Sequence, residues 1–315
     1  MTQAKRHLPN QAYFSSRRTH DGEFLLLDDR EHNCKQIIFY SLGLHALKTN
    51  QDIIAFVAMS NHIHGVYFDP DASRSAFHQH FHSCIARSVN KFRARRGNFW
   101  SNQTVSDPAL LCRESLIAKI VYTALNPVRA GLVEKAKDWP TTILPDDWGK
   151  TIRVERPETY FRDTPAHPDV IEFTPSAPPG FDDWELNEIK MEVNKRIEEG
   201  EREIAEERRA NGKSVKGMDA VYSESPNRKI GIPKAKSRRP QFFASDASLY
   251  KRAAAALRKF RADLRNAVAQ FKRDRKAAFP AGTIFMKRRF GVRCCEVEFD
   301  DPHIPDYAVV AVLAP

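Results

Sequence analysis

Three groups of side chains have types and spacings that suit chemistry. The first is Met59-Ser60-Asn61-His62-Ile63-His64. In a strand, residues i and i+2 point to the same face, so His62 and His64 would present two imidazoles side by side, which suits a divalent metal. The plainer reading is a pair of structural or solvent-facing histidines. The second group is His78, His80 and His82. On a helix, His78 and His82 share a face at i, i+4 while His80 points elsewhere. That spacing resembles a zinc helix without the glutamate of HExxH, so a structural or nucleic-acid-facing role competes with metal binding. The third is LIAKIVYTALNPVRAGLV at 116–133, where Tyr122 and Asn126 are four apart and neighbours on one face. A phenol there could reach a bound phosphate while the Asn126 amide oxygen completes a metal site. The alternative is that Tyr122 packs and Asn126 caps the helix that follows.

The elements that must position these residues are readable from pattern. Residues 11–18 (QAYFSSRR) suit a first strand, and 29–48 carry a helical apolar stripe. The run IIAFVAM at 53–59 reads as a buried strand, Ser60-Asn61 as a turn, and HIHGVYF at 62–68 as the return strand of a hairpin. Helices are expected over 73–96, ending in the basic cluster Arg93, Arg95 and Arg96, and over 113–125, meeting Asn126-Pro127. Strand, helix, hairpin, helix, helix predicts an α+β sandwich with helices on one sheet face. Seven prolines between 141 and 181 predict an irregular linker. Beyond it, helices are expected over 182–211 and 246–278, a loop over 212–245, and two terminal strands, TIFMKRRFGVRCCEVEF and YAVVAVL.

The chain has 315 residues and a formal net charge of +10. Its mean hydropathy is −0.53. No apolar run approaches the roughly 18 residues of a membrane span, and MTQAKRHLPNQAYF has no signal-like apolar region. Five cysteines, an odd number with no CxxC pair, argue against a disulfide scaffold and predict a reducing, cytoplasmic setting. The charge is uneven: residues 150–207 are net −8 and residues 208–291 are net +18. A basic block of that size points to a polyanion, with binding that weakens steeply in salt.

Taken together, MSNHIHGVYF and YTALNPVRAGLVEKAKDWP resemble the REP-associated tyrosine transposases of the one-tyrosine HUH superfamily. The likeness extends to AYFSSRR, to GNFW at 97–100 and to the closing Trp139-Pro140, and spans roughly residues 11–142. It implies a ferredoxin-like HUH domain with an antiparallel central sheet over 1–142. A Pro-rich linker (143–181) and a charged, helical C-terminal extension with terminal strands (182–315) would follow, and the resemblance gives this extension no role. It implies Mg²⁺ or Mn²⁺ on His62, His64 and Asn126, and Tyr122 as the nucleophile that cleaves DNA through a 5′-phosphotyrosine link. The implied partner is single-stranded or hairpin DNA, with no membrane and room for a homodimer. Arg17, Arg18, Arg93, Arg95, Arg96 and Arg129 are the expected phosphate contacts, and Trp100 is a candidate stacking platform. Two other readings stand beside it. One is a zinc hydrolase on either histidine pair, weakened by the missing carboxylate. The other is a domesticated DNA-binding regulator that keeps the fold without catalysis.

Overall fold

The computed structural model describes residues 4–162, 164–181, 183–230 and 240–307. It is an α+β fold around a six-stranded sheet. Strands β1 (Gln11–Arg18), β2 (Asp52–Met59) and β3 (His62–Asp69) form its centre. Short strands β4 (Ala109–Leu110), β5 (Thr142–Ile143) and β8 (Phe242–Phe243) extend it, giving the order β5-β2-β3-β1-β4-β8. Strands β6 (Ile152–Glu155) and β7 (Val170–Phe173) form a separate antiparallel pair.

The 53–68 hairpin forms as its sequence predicts, with Met59 opposite His62 across the Ser60-Asn61 turn. Helices occupy both sheet faces, not one. On one side α1 (Asn33–Thr49) and α2 (Arg74–Phe92) pack on Tyr13, Phe56, Ile63 and Tyr67. On the other, α3 (Arg113–Ala124), the short α4 (Asn126–Arg129) and α5 (Leu186–Ala210) pack on Phe14, Val57, Met59 and Val66. The reason lies in β2, whose residues 53–59 are all buried. A strand apolar on both faces must be covered on both.

The sheet is also not purely antiparallel, because β8 pairs parallel with β4. A parallel pair needs a long crossover, and residues 111–241 supply one. That crossover carries α5 and the short α6 (Met218–Tyr222). Residues 141–181 were expected to be irregular, yet they contain β5, β6 and β7. Phe173 of β7 rests on Gly43 of α1, where any Cβ would collide with its ring.

The long α7 (Ala247–Asp274) follows β8 and buries Ala253, Leu257 and Phe260 against Ala109, Leu111 and Phe242. The stretch 284–290, expected as strand, is instead a helix, α8 (Ile284–Phe290). Ile284 is its one β-branched residue, and Gly291 ends it at φ 60°. Of the second expected terminal strand, residues 308–313 lie outside the described residues.

Candidate active site

The pleat of β3 sets His62 and His64 on the face covered by α3. Across β1 they oppose Arg18 and Ser16, and across β2 they oppose Met59 and Val57. Their rings stand edge to face with centroids 4.8 Å apart. Phe14 stacks on His64 at 5.2 Å, and Tyr122 of α3 meets His64 edge-on at 5.6 Å. Tyr122 is 37% exposed, so its ring is reachable from solvent. Asn126, one turn beyond, donates its side-chain N–H to the Tyr122 carbonyl at 2.7 Å. Its side chain also lies within hydrogen-bonding reach of His62.

Both imidazoles are held neutral. Burial, followed by the charge of Arg18, pushes His62 down to about 4. His64 falls well below its ordinary value through burial, then through the charges of His62, Arg18 and Lys119. Neutral imidazole is the metal-binding form. Asn61 Oδ1 lies 2.7 Å from His62 Nδ1. An amide oxygen only accepts, so Nδ1 carries the proton and Nε2 carries the lone pair. His64 Nδ1 is buried and makes no close hydrogen bond among the described residues, although the ring feels the Ser15 main chain. These donors fit a divalent cation. Among the described residues there is no cluster of three or more His, Cys, Asp or Glu.

Sequence reasoning missed Lys119. It lies three residues before Tyr122, and its Nζ sits 4.9 Å from the Tyr122 ring centroid, 5.2 Å from Phe14 and 4.0 Å from Phe243. Burial lowers its pKa. The i, i+3 spacing on α3 was the available signal. Phe243 arrives from β8, far along the chain, and no local pattern announces it.

The expected DNA contacts divide. Arg18 and Arg129 are exposed, Arg18 beside the histidines and Arg129 one turn beyond Asn126. Arg96 is exposed too. Arg17 points to the opposite sheet face, 2.9 Å from His82 Nδ1 and over the Trp100 ring at 5.0 Å. Trp100 is 8% exposed and donates its indole N–H to the His82 carbonyl at 2.8 Å. Arg93 donates to the carbonyl oxygens of Leu25 and Leu27, and Arg95 pairs with Glu23 at 2.8 Å. Trp100 thereby ties its own segment to α2, while Arg93 and Arg95 tie the end of α2 to residues 23–27. His78 and His82 stack face to face at 5.2 Å and are buried, His82 against Trp100, while His80 is exposed. The two histidine pairs thus lie on opposite faces of the sheet and do not converge.

No helix among the described residues is long and apolar enough to cross a membrane. No protein-family model matches the sequence, and no curated protein matches it. Among solved structures, the chain is similar to a REP-associated tyrosine transposase bound to a REP hairpin, at 15% identity and a TM-score of 0.39. That match covers 54% of this chain and 99% of the other, a distant likeness to the family that the sequence motifs resemble.

Proposed function

We propose that the protein cleaves and rejoins single-stranded or hairpin DNA, with Tyr122 as nucleophile. The supporting observation is the meeting of Tyr122 with His64 at 5.6 Å, with Asn126 and Lys119 on the same helical surface. Mg²⁺ or Mn²⁺ held by His62, His64 and the Asn126 oxygen would supply Lewis-acid polarisation of a phosphate. The chain's own part is to hold and expose the nucleophile. The Tyr122 oxygen forms a bond to phosphorus and the bond from phosphorus to the 3′ oxygen breaks; the phenol proton passes to water, and water returns one to the 3′ oxygen. The ester keeps the bond energy, so a 3′ hydroxyl can reverse the step without ATP. Lys119 places a positive charge beside the phosphate, where negative charge grows as Tyr122 attacks. We assign this chemistry to residues 1–142, with Arg18 and Arg129 guiding the strand, and assign added grip on DNA to the basic extension.

A second reading, a DNA-binding regulator without catalysis, is favoured by the absence of a third His, Cys, Asp or Glu donor among the described residues. One experiment separates the two. The full chain is incubated with hairpin-bearing single strands and Mn²⁺, then run on a denaturing gel. A covalent adduct that disappears in Tyr122→Phe supports cleavage. A mobility shift with no adduct supports the regulator. An adduct that survives in Tyr122→Phe moves the nucleophile elsewhere.

A further inference from the structure

A cavity of about 740 Å³ lies on the other side of β8 from Lys119, between the N-terminal segment, residues 104–109 and α7. Its size is within the roughly 300–1,000 Å³ of small-ligand sites. Two kinds of lining meet there. One is aromatic: Phe242 meets Tyr250 at 5.2 Å and His303 at 5.5 Å between centroids. The other is cationic, carrying Lys5, Arg258 and Arg261. Lys5 is neutralised by Asp107. Arg258 and Arg261 have no carboxylate partner among the described residues; Arg261 donates to the Ala4 carbonyl at 3.1 Å and Gln241 Oε1 at 3.2 Å. The cavity therefore keeps net positive charge.

The helix explains the arrangement. Tyr250, Ala254 and Arg258 recur every four residues along one face of α7. The small Ala254 leaves space between an exposed ring and an exposed guanidinium. His303 also lines the cavity and is 4% exposed, and its Nε2 is buried with no hydrogen-bond partner among the described residues.

We propose that this cavity binds one nucleotide, its base stacked on Tyr250 beside Phe242 and its phosphate on Arg258 and Arg261. An aromatic platform next to arginines that no carboxylate neutralises is how single-stranded nucleic acid is held without a duplex. Phe242 and Phe243 are neighbours on one edge strand, and their side chains point to opposite faces. Phe243 touches Lys119 beside Tyr122. A strand bound at Tyr122 that crosses this edge would leave a nucleotide in the cavity. The pocket goes beyond the proposed cleavage, and its occupancy can be measured without it.

The test is calorimetric titration of the full chain, without divalent ion, with dAMP, inorganic phosphate and a short oligo(dA). Tyr250→Ala and Arg258→Ala replace exposed side chains, and circular dichroism verifies the fold of each. The expected result is dAMP binding about tenfold tighter than phosphate, weakened about tenfold by Tyr250→Ala and severalfold by Arg258→Ala. If the oligonucleotide binds more tightly than dAMP and shares that loss, the source is a strand. If dAMP alone responds, the source is a free nucleotide. The pocket is refuted if dAMP does not bind at millimolar concentration, or binds equally in both variants. Because no cleavage is read, loss of the Tyr122 adduct leaves this outcome unaffected.

Discussion

The side-chain N–H of Asn126 reaches back one helical turn to the main-chain carbonyl of Tyr122 at 2.7 Å. The bond turns the amide nitrogen toward the main chain, and in the proposed site the amide oxygen is the cation's third donor. Asn126→Ala should therefore weaken Mn²⁺ binding by about tenfold. Mn²⁺ titration followed by electron paramagnetic resonance, with no DNA present, reads this directly. Unchanged affinity would remove Asn126 from the ligand set.

Lys119→Met keeps most of the side chain's length and removes its charge. Its ammonium already lies over the rings of Phe14, Tyr122 and Phe243, a surround that also suits a thioether, so the fold should tolerate the change. Adduct formation should slow by about tenfold to a hundredfold, in the range of losing one electrostatic stabiliser. The salt slope of DNA binding should fall by about one phosphate contact. A normal rate with a normal slope would place Lys119 outside the reaction.

Trp100→Ala and Arg93→Ala should act on stability before DNA affinity. Trp100 fills core volume and donates to His82, so its loss should cost about 3–5 kcal/mol. Arg93 satisfies two carbonyls in the 25–27 segment, and its removal should cost about 1–3 kcal/mol. Urea unfolding measures both. An Arg93→Ala protein of native stability with a reduced salt slope would return Arg93 to the DNA surface.

Acid should destabilise the fold before its carboxylates titrate. Burial holds His45 and His62 at about 4 and His78 at about 3. The unfolded chain takes up these protons near 6.5 and the folded one does not. Stability is thus full above pH 6.5 and declines toward pH 4, by up to about 1.4 kcal/mol per pH unit for each histidine. Urea midpoints between pH 7.5 and 4.5 follow this decline. A flat profile would mean that the three rings are protonated inside the fold.

Much of the site's framework was legible because its rules are local. The i, i+2 pleat explains His62 with His64, and i, i+4 explains Tyr122 with Asn126. What escaped were relationships between distant segments. Arg17 and Arg18 are adjacent in sequence, yet the pleat sends one under Trp100 and the other to the histidines. Basic residues look alike in a sequence whether they meet phosphate or a buried carbonyl, and Arg93 and Arg95 meet protein groups. Strand β8 has two residues in a basic, proline-containing stretch, too short to show a period. The helical 284–290 segment was read as strand from its apolar residues, although its bracketing Thr283 and Gly291 allow one short helix.

The hydroxyl of Tyr307 bonds to the Leu110 carbonyl and to the Ala12 amide, the latter at 3.0 Å. One of the last residues described thus fastens one of the first strands. On the ribosome, β1 and β4 must wait until residue 307 has emerged, 197 residues after Leu110, before this fastening can close. A nascent chain halted before residue 242 would leave the flank of β4 unpaired, an open template for aggregation. Lys119 would also lack one of its aromatic walls, so a full set of neighbours around Tyr122 arises only once residue 243 has emerged.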